Sequence, residues 1–308
     1  MAAQAALLRP QVVLTMVNPI IHLLVTDLDN TLYDWVTFFA HAFYDMISVA
    51  SKVLDVPEER LLDECRAVHQ RYHNSEHPFA LLETQTVLRR YPALARSERA
   101  LILDDAFHEF NRTRSRTLRL YPGVEYALRA IQQIGVPVVA HTEASVPNAV
   151  FRLRSLRVDT FFDYLYAAAP EGLGHPDADR QEEQPHNSLP VEYLGRGERK
   201  PDPQILEGIC QRIGVSPGAT LYVGDSISRD IGMAKAAGAW AAWAQYGTKF
   251  DAALWQRIVR ITHWRQEDVE RAKAADDHFG NSRADATLHD SFAEILEHFS
   301  FESFNCDD

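Results

Sequence analysis

The residues from Ile20 to Thr26 form an almost continuous apolar run, IIHLLVT, in which hydrophobic and polar positions do not alternate. A run of this length is typical of a strand that is covered on both faces, as in the parallel sheets of α/β proteins. Two carboxylates, Asp27 and Asp29, follow directly. Ligands of open α/β sheets bind outside the carboxyl ends of the strands, so the position of this pair indicates a functional site.

Residues 36–118 show helical spacing and contain no strand-like run. Apolar side chains such as Phe39, Phe43 and Ile47 recur three or four positions apart, and Pro57 opens a second segment. We therefore predict an all-helical cap domain over 36–118.

Helical and strand-like segments alternate from Tyr121 onward. GVEYALRAIQQIG leads into VPVVAHT, PQILEGICQRIG leads into TLYVGDS, and RDIGMAKAAG leads into AWAAWA. This rhythm indicates βαβ units and a parallel sheet. The predicted fold is α/β, with a Rossmann-like three-layer core of residues 20–35 and 119–308 into which the cap is inserted.

Three further segments fall outside this pattern. Residues 1–19 are predicted to be an irregular N-terminal tail, within which Met16 could serve as an alternative start. Residues 170–199 are rich in Pro, Gly, His and acidic residues with little periodicity, which predicts a mobile insertion. Residues 250–282 are predicted to be a helical, charged insertion, and the segment ATLHDSFAEILEHF after them to be a final helix.

Composition and charge narrow the class of protein. The 308 residues carry a formal net charge of -12, which argues against nucleic acid as a partner. No run of about 18 apolar residues is present, so no membrane span is expected. The three cysteines are odd in number and far apart, which fits neither a disulfide framework nor a zinc site and favours a reducing cytoplasm. The pattern does not indicate an oligomeric state.

Polar residues also follow other predicted strands or precede their helices: Thr142, Lys200, Asp225 and Asp230. Together with Asp27 and Asp29 they outline one pocket at the edge of the sheet. Carboxylates gathered there would repel one another unless a cation joined them, and an all-oxygen set suits Mg²⁺. A lysine and a threonine hydroxyl beside that ion could hold a phosphate.

These residues resemble the four motifs of the haloacid dehalogenase-like superfamily, in its subgroup with a helical cap after the first strand. DLDNT (27–31) is similar to the first motif, Thr142 to the second, Lys200 in KPDP to the third, and GDSISRD (224–230) to the fourth. The resemblance covers most of residues 20–245 and implies a phosphatase.

The resemblance also implies catalytic roles. Asp27 would be the nucleophile that forms an aspartyl-phosphate, and Asp29 the general acid and then base. Thr142 and Lys200 would hold phosphoryl oxygens. Since a strand turns residues i and i+2 to the same side, Asp27 could attack phosphorus while Asp29 reaches the leaving oxygen. The structural alternative is that the two carboxylates only cap the next turn.

Further contacts follow from the same resemblance. The Mg²⁺ ligand set implied is Asp27, Asp29, Asp225 and Asp230, with Asp230 acting through water or Lys200. Thr31 and Glu143 would contact the substrate together with Thr142 and Lys200. Glu143 departs from the family, which often has a small or amide residue there, and it places a carboxylate near the phosphate.

The expected substrate is a small soluble phosphomonoester, such as a nucleoside monophosphate or a sugar phosphate. A sugar-phosphate mutase remains an alternative because it shares the full set of acids. A 2-haloacid dehalogenase is disfavoured, because those enzymes lack an acid at the position of Asp29. A non-catalytic phosphate-binding regulatory module would not need Asp29 either.

Weaker signals have plainer interpretations. His69, His73 and His77 lie four residues apart, and a solvated polar face is favoured over a metal site. Arg112, Arg116 and Arg119 share a helical face that we expect to be solvent-exposed rather than to steer phosphate. Trp240 and Trp243 are expected to pack in the core.

Overall fold

The computed structural model describes residues 18–77, 79–170, 176, 189–195, 197–264 and 284–304. Most of the strands belong to one seven-stranded sheet, and two short ones form a separate pair. The strands are β1 (Ile20–Ile21), β2 (Leu23–Thr26), β3 (Val138–Ser145), β4 (Tyr164–Ala168), β5 (Val191–Leu194), β6 (Thr220–Gly224), β7 (Trp240–Ala244), β8 (Ala286–Leu288) and β9 (Ser300–Phe301).

The seven-stranded sheet is parallel throughout and has the order β5-β4-β3-β2-β6-β7-β8. Strand β2 lies in the middle, where Val25 is level with Val139 of β3 and Tyr222 of β6. The chain leaves β2 toward one half of the sheet and later fills the other half, which creates a crevice at the carboxyl end of β2. The α/β, Rossmann-like prediction is confirmed.

Helices cover both faces of this sheet and form the insertion after β2. They are α1 (Trp35–Leu54), α2 (Glu58–Tyr72), α3 (Gln85–Arg90), α4 (Arg96–Ile102), α5 (Asp104–Thr117), α6 (Val124–Ile134), α7 (Val146–Ser155), α8 (Pro203–Ile213), α9 (Gly232–Ala236), α10 (Ala252–Ile261) and α11 (Ile295–His298). Helices α1 to α5, called the cap below, lie between β2 and β3 in sequence. Among the described residues, no helix is long and apolar enough to cross a membrane.

The two faces of β2 belong to two hydrophobic clusters. Leu24 packs in the cluster that includes Leu128 of α6, and this cluster continues into the cap. Leu23 and Val25 point to the opposite face and pack with residues such as Ile209 of α8. Because both faces are buried, the strand needs apolar side chains at successive positions, which explains its continuous hydrophobic run.

Helix α10 follows the core strand β7 in sequence but packs against α1 and α2 of the cap. The Tyr44 hydroxyl donates to the Arg257 carbonyl oxygen at 3.3 Å, and Arg260 pairs with Glu59 and Asp63. This helix fits the predicted helical segment 250–282, of which residues 265–282 lie outside the described part. A second part of the chain therefore ties the cap to the core.

One prediction about the C-terminal half was wrong. The segment 286–299 is not one helix, because β8 extends the sheet and only Ile295–His298 is α-helical. Near the end of the predicted insertion 170–199 lies the edge strand β5, whose Leu194 is buried and pairs with Ala168. The mobility of the insertion stays a prediction. Most of the remainder of that insertion, and nearly all of the predicted tail, lie outside the described residues.

Candidate active site

The crevice at the end of β2 begins with Asp27. Its backbone amide donates to the Val223 carbonyl oxygen at 2.8 Å, which continues the pairing with β6 beyond the strand. The chain then turns through Asn30, which has a left-handed φ of 57°, a conformation that Asn tolerates better than most residues. The turn brings the Thr31 hydroxyl back to donate to Asp27 Oδ2 at 3.2 Å. Asp27 is consequently buried and fixed in orientation.

Lys200 lies between two carboxylates of this crevice. Its ammonium forms a short ion pair with Asp27 Oδ1 and lies 2.8 Å from Asp230 Oδ1. The residue lies three positions before the first residue of α8, whose start is capped by Asp202 accepting from the Gln204 amide at 3.0 Å. Burial alone would lower the pKa of Lys200, but the two carboxylates outweigh it and raise that pKa well above its usual value. Lys200 is therefore a buried cation held between two carboxylates.

Three carboxylates form a compact cluster beside this lysine. Oxygen atoms of Asp27, Asp225 and Asp230 lie within 4.8 Å of one another. Burial raises the pKa of Asp27 to about 6, and the carboxylates of Asp230 and Asp29 add to the rise while Lys200 opposes it. The cluster carries more negative charge than one lysine neutralises, and its donors are all oxygen. These properties fit a hard divalent cation such as Mg²⁺.

The fourth motif places Asp230 through a tight turn. Residues Ile227–Ile231 form a π-helical turn, and Asp230 Oδ2 accepts from the Ser226 amide at 3.0 Å. A Cβ added to Gly224 would lie 2.3 Å from Asp230 Cγ. The first residue of GDSISRD must therefore be glycine for the last one to reach the cluster.

Asp29 does not join the carboxylate cluster with its side chain. Its Oδ1 accepts from Arg152 Nη1 at 2.8 Å, and Arg152 also pairs with Glu76 of the cap. Burial alone would lower the pKa of Arg152, but Asp29 and Glu76 outweigh it and raise that pKa above its usual value. Asp29 follows Asp27 by two residues in the loop, and its carboxylate faces a guanidinium. Its role as a metal ligand stays a prediction.

Thr142 and Glu143 lie in an irregular part of β3. The pairing of β3 with β4 changes register between His141 and Ser145, a distortion that re-aims side chains at sheet ends. The Thr142 hydroxyl is buried and accepts from the Ala144 amide at 3.1 Å. Since Thr26 pairs with Ala140, Thr142 lies two residues further along, beside the start of the Asp27 to Asp29 loop. The Glu143 carboxylate pairs with Arg229 of the fourth motif, which balances its charge.

Several residues that support the two acidic motifs were not predicted. The Tyr246 hydroxyl donates to the Thr31 carbonyl oxygen at 2.6 Å. A Cβ added to Gly247 would lie 1.7 Å from the Asn30 carbonyl oxygen, so glycine is required for this close approach. Trp243 is buried, as predicted, and its indole donates to the Asp225 carbonyl oxygen at 2.8 Å. The end of β7 and the segment after it thus support both loops.

The histidine prediction was wrong in part. His73 is exposed, but His69 and His77 are buried. His69 lies under α10, where its Nδ1 donates to the Ile261 carbonyl oxygen at 2.6 Å, and burial lowers its pKa to about 4. Helix α2 ends at Tyr72, so His77 is not on it; it stacks on the Tyr72 ring and contacts Glu83.

Arg112, Arg116 and Arg119 are exposed, as predicted, but Arg119 lies beyond the end of α5 and is not on the helical face of the other two. Arg114 is partly buried instead, with its guanidinium 3.5 Å from the centre of the Phe151 ring.

Curated proteins share part of this sequence. A glyceraldehyde 3-phosphate phosphatase of Methanopyrus kandleri is 28% identical over 217 residues, which are 69% of this chain and 78% of that protein. Phosphoglycolate phosphatase of Escherichia coli is 30% identical over 135 residues, 44% of this chain. The latter match spans only 43% of the relative's own length.

A solved structure agrees in fold. The 2-haloacid dehalogenase of Pseudomonas syringae aligns over 90% of this chain and 97% of its own, with a TM-score of 0.51 and 19% identity. The model of the haloacid dehalogenase-like hydrolases matches residues 21–184 and 185–238, well over half of the chain. The chain therefore belongs to the haloacid dehalogenase-like hydrolase family.

Proposed function

We propose that this protein is a Mg²⁺-dependent phosphatase that hydrolyses small phosphomonoesters through an aspartyl-phosphate on Asp27. The observation that carries the proposal is the burial of Asp27 between the Lys200 ammonium and two further carboxylates, with Asp29 two residues away. A buried carboxylate held by a cation at the end of a central strand is preorganised for attack on phosphorus. The phosphatase relatives support the same reaction class.

The first step would transfer the phosphoryl group to Asp27. One carboxylate oxygen of Asp27 forms a bond to phosphorus while the bond from phosphorus to the leaving oxygen breaks. Asp29 gives its proton to that oxygen, which departs as an alcohol. Lys200 and Thr142 hold the phosphoryl oxygens, and Thr31 keeps Asp27 in position through its 3.2 Å hydrogen bond.

The second step would release phosphate. Asp29, now ionised, takes a proton from a water molecule, whose oxygen attacks phosphorus. The bond between phosphorus and Asp27 breaks, so that inorganic phosphate leaves and both carboxyl groups return to their starting states. The same residue can serve in both steps because it gains in the second the proton that it lost in the first.

The carboxylate cluster would hold the metal. Asp27 and Asp225 are proposed as direct ligands, with Asp230 supporting the ion through water or through Lys200. When bound, Mg²⁺ would supply positive charge that lets a phosphate dianion approach three carboxylates. The all-oxygen donors and their excess negative charge suit this ion.

The substrates named for the relatives, phosphoglycolate and glyceraldehyde 3-phosphate, are small metabolites, and we propose the same class here. A cap held over the crevice would disfavour nucleic acids and phosphoproteins. Sugar phosphates and nucleoside monophosphates belong in the same substrate panel. Two free buried thiols, Cys65 and Cys210, accord with a reducing cytoplasm.

Hydrolysis of p-nitrophenyl phosphate with Mg²⁺ tests the reaction class, and the metabolite panel then tests the substrate. The variant Asp27→Asn tests the nucleophile. Its turnover should fall below about one part in a thousand of the wild-type value, the usual scale for loss of a nucleophile. Retained turnover in that variant would exclude Asp27 as nucleophile. Halide release from a 2-chloroacid would point to a dehalogenase, and interconversion of sugar 1- and 6-phosphates to a mutase.

A further inference from the structure

A carboxylate of the cap reaches into the core beside the proposed active site. Glu76 lies in the loop between α2 and α3, and its side chain is mostly buried, with 13% of its surface exposed. It accepts from the Trp35 indole at 2.7 Å and from the Asn148 amide of α7 at 3.3 Å. Its Oε1 also forms a short ion pair with Arg152 of α7.

Arg152 joins this cap residue to Asp29. Its guanidinium gives Nη2 to Glu76 and Nη1 to Asp29 Oδ1, the latter at 2.8 Å. Only 4% of the side chain is exposed, and the guanidinium carbon lies 5.1 Å from the centre of the Phe38 ring and 5.9 Å from that of Tyr33. Aromatic walls and two carboxylates leave it little freedom to turn.

Glu76 gives Arg152 a counter-charge of its own, so Asp29 can carry the proton that the first step requires. Glu76 also fixes the direction of the guanidinium. With Nη2 occupied by Glu76, the guanidinium meets Asp29 through Nη1 and Oδ1, so Oδ2 is the oxygen that we assign to the leaving group.

The loop that carries Glu76 is itself anchored to the core's C-terminal half. Ser75 Oγ lies 2.7 Å from His263 Nδ1 and accepts from the His263 amide at 3.2 Å. His263 comes directly after α10, the helix that packs on the cap. The position of Glu76 therefore depends on how the cap is docked.

We propose that Arg152 is a positioning residue that aims the Asp29 carboxylate at the leaving oxygen, and that Glu76 sets its orientation from the cap. The general acid is then correctly aimed only while the Glu76 loop is docked on α7. This inference rests on the proposed phosphatase function, because it assigns the orientation of that function's general acid.

The test uses two substrates that differ in leaving group and little in shape, p-nitrophenyl phosphate and phenyl phosphate. Phenolate is the poorer leaving group and needs a proton more. In Glu76→Gln and Arg152→Lys, kcat on phenyl phosphate should fall at least about tenfold further than on p-nitrophenyl phosphate, with smaller changes in KM. The matched control on the same helix, Arg154→Lys, should leave the ratio of the two kcat values unchanged.

A double-mutant cycle separates aiming from folding. In an Asp29→Asn background, Glu76→Gln should cause no further change in the kcat ratio, because the carboxylate that it aims is gone. Equal losses on both substrates in the single variants would overturn the positioning role while leaving the phosphatase assignment intact. Wild-type protein that turns over neither substrate would overturn both proposals. Circular dichroism and thermal melts identify a variant that has unfolded. If Arg152→Lys has unfolded, the ratio of the two kcat values in the isosteric Glu76→Gln variant decides whether Glu76 has the positioning role.

Discussion

Lys200 Nζ lies 2.8 Å from Asp230 Oδ1 and in close contact with Asp27 Oδ1, so one buried ammonium joins the proposed nucleophile to the fourth motif. The contact spans 173 residues from Asp27 to Lys200. It means that the two carboxylates share a single compensating charge in the folded protein. Their stability and their chemistry are consequently coupled through Lys200.

Replacing Lys200 by methionine should therefore damage both properties. The variant leaves buried carboxylates without their cation, which typically costs about 3–5 kcal/mol of unfolding free energy. It also removes a group proposed to hold the phosphoryl oxygens, so kcat/KM on p-nitrophenyl phosphate should fall by about 10³ or more. Urea unfolding and steady-state kinetics measure the two effects.

The control is Lys249→Met, which removes a lysine of 56% side-chain exposure that pairs with Asp290. An exposed pair contributes about 0–1 kcal/mol, so this variant should behave almost as wild type. A Lys200→Met protein with normal activity would remove Lys200 from the proposed mechanism.

The carboxylate cluster could be predicted from sequence because its signals are local. Asp27, Asp225 and Lys200 each lie at a strand end or just before a helix, and a parallel sheet brings such positions to one edge. The structure places Asp27, Lys200, Asp225 and Asp230 together as that reasoning requires. The local sequence pattern was sufficient to predict that these four residues meet.

Arg152 and Glu76 could not be predicted in this way. Seventy-six residues separate them, and they meet only because the cap docks on α7. Nothing in the spacing distinguishes Arg152 from Arg154 on the same helix. The burial of His69 was missed for the same reason, since the covering residue, Ile261, lies 192 positions away.

Removal of Mg²⁺ should abolish the proposed phosphatase activity. The cluster of Asp27, Asp225 and Asp230 fits a small oxygen-seeking cation, so EDTA should abolish hydrolysis of p-nitrophenyl phosphate and Mg²⁺ should restore it. Ca²⁺ should not, because it prefers more ligands at longer distances. Binding to the folded state should also raise Tm, which gives a readout independent of activity.

The variant Asp225→Asn should lose most of this Mg²⁺-induced rise in Tm. Asp285→Asn is its control, because Asp285 pairs with Lys235 outside the cluster. Full activity in EDTA, or an unchanged rise in Asp225→Asn, would refute the metal assignment.

Replacing Gly247 by alanine should displace the first motif (27–31), because Gly247 packs against the backbone of Asn30. The added Cβ would lie 1.7 Å from the carbonyl oxygen and 2.8 Å from the carbonyl carbon of Asn30, and backbone atoms cannot rotate away as a side chain can. We expect Gly247→Ala to lose about 1–3 kcal/mol of stability, as overpacked sites do. Displacement of the loop between Asp29 and Thr31 should lower kcat by up to about 100-fold.

Gly208→Ala provides the matched control for this substitution. Gly208 lies within α8, where an added Cβ meets nothing within 4 Å. Alanine should there stabilise the helix by about 0.5–1 kcal/mol and leave kcat unchanged. If Gly247→Ala matched it in both melting and kinetics, the close approach to Asn30 would not matter to the site.

Acid should protonate the buried His69 and so weaken the packing of α2 of the cap against α10. Burial lowers the pKa of His69 to about 4, from an ordinary value of 6.5 that applies in the unfolded chain. Between these values the unfolded state binds more protons than the folded state, so stability is complete above pH 6.5 and falls as the pH drops toward 4. The loss from this residue alone is about 3 kcal/mol.

Urea unfolding at pH 7 and pH 4.5 measures this dependence. His69→Gln keeps an amide donor for the Ile261 carbonyl oxygen but cannot titrate, so its stability should change less between the two pH values than that of wild type. Burial also lowers the pKa of His263 and His141, so some acid sensitivity should remain in the variant. The exposed neighbour provides the control, since His73→Gln should change the dependence less than His69→Gln, although it removes a charge that helps to lower the pKa of His263. A His69→Gln protein as acid-sensitive as wild type would show that the buried imidazole under α10 does not govern this transition.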